Sequence, residues 1–145
     1  MFGPVATLLV GLFVGFIALQ QWRLARRKLQ LDLFDRRYKV YDATKKFLSV
    51  ILIKADFQDA QLFEFYGGTS DAEFLFDKDI VEYLAEIRKR ALDMRLHQQL
   101  FTPLPVGEER SRHVEANSNQ LLWLTEQLTA MKTVFSPYLS FAKIK

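Results

Sequence analysis

Cysteine is absent from all 145 residues, which excludes a disulfide framework, a thiolate metal site and a cysteine nucleophile. Histidine is nearly as scarce. His97 and His113 each stand in a charged segment, beside Arg95 and after Arg110 and Arg112, where an isolated imidazole is expected to be a solvated surface residue. No glycine-rich loop followed by Lys and Ser or Thr occurs, and neither HExxH nor GxSxG is present. No catalytic, cofactor-binding or metal-binding residue is therefore expected, and the chain does not read as an enzyme. Proline and glycine are few, four and six in number. Neither interrupts residues 16–66, so nothing local ends a helix there.

Charge is missing from one stretch above all. Residues 2–19 form an uncharged apolar run of eighteen, and Arg23, Arg26, Arg27 and Lys28 follow at once. At about 1.5 Å of rise per residue, this run with Gln20, Gln21 and Trp22 covers close to the roughly 30 Å of a bilayer core. Trp22 then falls at the water boundary, where amphipathic rings concentrate. Residues 1–22 read as a transmembrane helix. Because basic residues flanking a span are retained in the cytoplasm, the N-terminus is expected outside and residues 23–145 inside. A basic leader and a small-residue exit site, the marks of a cleaved signal, are not seen.

Within the run, Gly3, Thr7, Gly11 and Gly15 recur every four positions. That spacing places them on one helix face, with Gly11-Leu-Phe-Val-Gly15 as a GxxxG element. Lipid tails are as apolar as leucine, so helices associate in a bilayer through dense contact, which a strip without bulky side chains permits. These four residues are the expected oligomerisation face.

Beyond the span the chain has room for one domain of ordinary size. Half of all residues are hydrophobic and thirteen are Phe, ample for a packed core. The formal charge of +3 is unevenly spread. Residues 20–46 hold nine Lys or Arg against three Asp, and residues 47–145 hold eleven against fourteen acids. A cationic collar beside a membrane attracts anionic headgroups at about 1 kcal/mol per near-surface Lys or Arg, so Trp22, Arg23, Arg26, Arg27 and Lys28 read as the lipid-interface group. Nucleic acid is the other polyanion such a collar can meet, and it is the less favoured partner.

Periodicity is helical almost throughout. Phe34, Tyr38, Tyr41, Leu48, Ile51, Leu52 and Ala55 fall at steps of three and four, so the span is expected to continue into a stalk helix over 23–57. The bundle occupies 58–145. Gly67-Gly68 is the first expected break, and Ser70 with Glu73 has capping-box spacing. Asp77 offers the start of a helix over 77–100, with Ile80, Tyr83, Leu84, Ile87, Ala91, Met94 and Leu100 on one side. Asp77 and Asp79 suit the positive end of its dipole. Two prolines and a glycine break residues 101–107. A last helix starts near Glu108, with Val114, Leu121, Leu122, Leu124, Leu128, Met131 and Phe135 buried. Ser136-Pro137 restarts a turn, from which Tyr138, Leu139 and Phe141 fold back. The expected fold class is all-α: a transmembrane helix continuing into a long stalk helix, with a cytoplasmic three- or four-helix bundle.

The stretch Leu31-Asp-Leu-Phe-Asp-Arg-Arg-Tyr-Lys-Val-Tyr41 sets Phe34, Tyr38 and Tyr41 on one face, an aromatic surface that would dock the stalk into the bundle. Asp32 with Arg36, and Asp35 with Lys39, have the favourable acid-first spacing of four. With the later FLFDKDIVEYLAEIRKRA and FSPYLSF, this run resembles a broad group of small bacterial proteins with one N-terminal span and a helical cytoplasmic part. The order of span, stalk and bundle is also similar to the small membrane accessory protein of type VI-B CRISPR systems. That resemblance implies the bacterial inner membrane and a ring-like pore in antiphage defence. That family's R-x4-H pattern has no counterpart here, since no Arg precedes a His by five positions, so no ribonuclease role is implied.

Three functional classes remain. The first is a homo-oligomeric membrane assembly, with a pore as one form of it. The second is a membrane-tethered scaffold or regulator that binds a soluble cytoplasmic protein. The third is nucleic-acid binding by the basic collar. The expected partners are the lipid bilayer and further copies of the chain, and no cofactor is expected.

Overall fold

Every regular element in the computed structural model, which describes residues 3–140, is an α-helix. The elements are α1 (Gly3–Lys54), α2 (Asp59–Thr69), the single turn α3 (Ala72–Leu75), α4 (Lys78–Phe101) and α5 (Glu108–Leu139). Phe2 and Phe141 lie outside the described residues. The chain divides into two units, Met1–Asp35 and Arg36–Lys145. The described part of the first is helical and exposed from Gly3 to Leu29.

The second unit has a core drawn mainly from four helices, with Ala72 of α3 added to it. Val40, Phe47, Leu48 and Ile51 come from α1, and Phe65 from α2. Ile80, Leu84, Ile87, Ala91 and Met94 come from α4, with Leu124, Met131 and Phe135 from α5. Their spacings of three, four and seven put them on single faces, as helical periodicity requires. Thr44 is also fully buried, and its hydroxyl is satisfied by donating to the Val40 carbonyl at 2.9 Å. Helices α4 and α5 form an antiparallel hairpin about the 102–107 loop. Arg90 reaches Gln120 across it, Tyr83 reaches Gln127, and Asn117 donates to the Met94 carbonyl at 2.7 Å.

The long first helix ends where the sequence carries no conventional stop. Ala55 takes a left-handed φ of 52°, and its amide still bonds to the Ile51 carbonyl at 2.8 Å. A left-handed alanine costs roughly 1–2 kcal/mol, and neighbouring contacts hold it. Phe57 is buried against Phe47, and the Arg95 guanidinium binds both the Phe57 carbonyl and the Asp59 carboxylate while lying 4.1 Å from the Phe57 ring centre. The corner is pinned to α4 from outside.

Several local expectations are corrected. Gly67 and Gly68 lie inside α2 and do not break the chain. A Cβ built on Gly68 would lie 2.5 Å from the Ala43 Cβ, so this glycine lets α2 approach α1. Ser70 does not cap α3: its hydroxyl donates back to the Gly67 carbonyl, and Asp71 precedes the helix. The corresponding bond forms at Gln58, whose amide donates to Gln61 Oε1 at 2.8 Å. Pro137 sits within the last turn of α5, which runs on to Leu139 without restarting. The buried face of α1 centres on Val40, Thr44, Phe47, Leu48 and Ile51, leaving Leu52 exposed. On α5, Val114 and Leu122 are exposed and Gln127 is buried, because α5 offers α4 a narrower stripe than its leucines suggest.

Candidate functional site: an uncovered apolar helix and two polar junctions

Apolar side chains stand exposed along the first unit from Gly3 to Leu29. Val5, Leu8, Leu9, Leu12 and Phe13 are all more than 60% exposed, and no part of the most apolar eighteen-residue window is buried. Contiguous apolar surface on this scale marks contact with a membrane or another protein. On this helix Gly3, Gly11 and Gly15 open directly outward, and an added Cβ at any of them would meet no atom within 4 Å. Thr7 donates its hydroxyl to the Gly3 carbonyl at 2.8 Å. The four small residues therefore form a strip with no unsatisfied side-chain polar group, a requirement for any surface facing lipid or another apolar helix.

Trp22 is 58% exposed, and the Arg26 guanidinium lies 5.5 Å from its ring. Arg23, Arg26, Arg27 and Lys28 are all exposed, so their charge is available to an anionic surface.

The three aromatics expected to pack the stalk have different surroundings. Tyr41 is half-buried with its ring edge-on to Phe135 at 5.4 Å. Tyr38 is 47% exposed, with its ring centre 5.8 Å from that of Tyr41. Phe34 belongs to the first unit and is partly buried. Another residue of the same run, Arg37, makes the main junction. Its Nε donates to the Leu75 carbonyl at 2.9 Å, and the guanidinium lies 5.8 Å from the Phe76 ring and 5.4 Å from the Tyr138 ring.

Tyr138 completes that junction by donating to Asp79 Oδ1 at 2.6 Å, with Asp77 Oδ2 at 3.2 Å. Those bonds, to Asp79 foremost and then burial and Asp77, push its phenol up to about 12. Asp77 and Asp79 thus do more than face a helix dipole: they tie the end of α5 to the start of α4. Burial likewise pushes the Tyr83 phenol up to about 12, and its hydroxyl donates to Gln127 Oε1 at 2.9 Å.

The histidines are not isolated. His97 Nδ1 and His113 Nδ1 are 3.1 Å apart, with ring centres at 5.3 Å, and both rings are partly buried. One ring donates to the other, the tautomers deciding which. Sixteen residues separate them in the chain, so helical periodicity gives no hint of the pairing. The only available signal is that each lies at a similar distance from the proline-bearing loop at which α4 turns back into α5.

No protein-family model, curated protein or solved structure matches this chain.

Proposed function

We propose that the chain is a single-pass membrane protein that self-associates through Gly3, Thr7, Gly11 and Gly15, with the helical unit of residues 36–140 on the cytoplasmic side. The observation that carries this reading is the apolar helical surface of residues 3–22, uncovered by the protein and followed by exposed basic residues. Lipid supplies the missing cover, and Trp22 with Arg23, Arg26, Arg27 and Lys28 fixes the boundary. The glycines favour close helix contact, because tight approach is the main source of association between helices in lipid.

Assembly is better supported than conduction. The Thr7 hydroxyl is already bonded to Gly3, leaving a lumen formed by this face little but glycine backbone and apolar groups, and narrow apolar pores dewet and close. The resulting function is a clustered membrane anchor that presents several copies of a helical unit to a cytoplasmic partner.

The natural absence of cysteine allows a direct test. Thr7→Cys in membranes should cross-link copies under mild oxidation, whereas Leu9→Cys, on the opposite face, should not. Equal cross-linking at both positions, or none at Thr7, would overturn the proposed face. Dye release from vesicles containing the wild-type chain would replace the anchor reading with the pore reading.

A further inference from the structure

We infer that His97 and His113 form a bidentate site for a borderline-soft divalent metal such as Cu²⁺ or Zn²⁺, fastening the loop end of the α4–α5 hairpin. The two Nδ1 atoms face each other at 3.1 Å. With metal–nitrogen bonds of about 2.0–2.1 Å, that separation corresponds to an N–metal–N angle of roughly 100°. This lies between the square-planar and tetrahedral values, so an ion can bridge the rings without the helices moving apart. The lone pairs must turn from the line joining the atoms toward the ion, and partial exposure leaves the rings room for this.

Imidazole nitrogen selects the metal class. An all-nitrogen pair suits copper, zinc or nickel, whereas calcium and magnesium require oxygen. Among the described residues no third His, Cys, Asp or Glu joins the pair, so water or a small ligand completes the coordination. Nor does either ring make a second hydrogen bond among the described residues. Each Nε2 can therefore carry the proton while Nδ1 offers its lone pair. The metal replaces the single proton between two neutral rings, that proton moving to Nε2, so binding to the neutral pair needs no net proton release. Acid competes, because protonated imidazole has no lone pair to give.

The consequence is mechanical. Pro103 and Pro105 have no amide hydrogen to add to the closure of the intervening loop, and a bridging ion would join α4 to α5 four residues before α4 ends and five after α5 begins. Metal availability would then set how firmly this end of the helical unit is closed.

The test uses untagged full-length protein in mild detergent at about pH 7.5, titrated with Cu²⁺ alone and with Zn²⁺ alone. One Cu²⁺ per chain is expected, with electron paramagnetic resonance showing two equivalent nitrogen ligands. His97→Ala and His113→Ala should each weaken binding at least tenfold, and Zn²⁺ should raise the melting temperature of the wild type but of neither variant. His97→Asn provides a second, more conservative probe should the alanine variant lose helicity. Absence of copper binding, a spectrum without paired nitrogens, or undiminished affinity in folded single-histidine variants would overturn the site.

Discussion

The same long helix uses apolar residues in two opposite ways. In residues 3–22, leucine, valine and phenylalanine surround the helix and stand exposed. In residues 40–51, apolar side chains occupy one face and Val40, Phe47, Leu48 and Ile51 are buried against other helices. Hydrophobicity alone does not separate these regions; distribution around the axis does. A helix apolar all round requires an apolar medium, whereas a one-sided helix supplies part of a core.

The strongest way to break this contrast is to truncate one phenylalanine from each region. Phe135→Ala removes a fully buried ring that touches Tyr41, Phe76 and Tyr83, and should destabilise the helical unit by about 3–5 kcal/mol in urea unfolding. Phe13→Ala should leave that transition where it is. A lysine at Leu12 reverses the pattern. It should oppose insertion by about 2.5–3.5 kcal/mol, seen as release from membranes in alkaline carbonate, without lowering the melting temperature of the helical unit.

Adjacent glycines sharpen the comparison. Gly68→Ala drives a methyl into Ala43 and should cost roughly 1–3 kcal/mol. Gly67→Ala points into open space and should stabilise α2 by up to about 1 kcal/mol. Opposite signs for neighbouring substitutions would be difficult to obtain unless α2 packs as described.

A last contrast is a pH dependence confined to the helical unit. Tyr83 and Tyr138 have folded pKa values raised to about 12 from the ordinary 10. Their contribution is complete below pH 10 and lost as pH rises through 12, because the unfolded chain gives up these protons first. Melting temperature should fall over that window, less steeply in Tyr83→Phe and Tyr138→Phe, while detergent extraction of the N-terminal helix remains unchanged.

Much of the helical layout was legible because local signals agree. Asp77 precedes α4, Ile80, Leu84, Ile87, Ala91 and Met94 repeat on one side, and Pro103 and Pro105 close the segment. The end of α1 was not legible, since Ala55 is a helix former and its left-handed turn is held by the packing of Phe57 against Phe47 and Arg95, which come from other parts of the fold. Gly67 and Gly68 misled for the complementary reason: glycine serves close approach as readily as chain reversal. Pairings such as His97 with His113, Tyr138 with Asp79 and Arg37 with Leu75 depend on how helices meet, which no single-helix periodicity contains.

Clustering of copies through the small-residue strip is tested most directly by the protein mass of the particle extracted in mild detergent. A discrete multiple of the 17.0 kDa chain, reduced to one copy by Gly11→Leu with Gly15→Leu, is the predicted result. A particle of one chain in the wild type, or a multiple indifferent to both leucines, would contradict it.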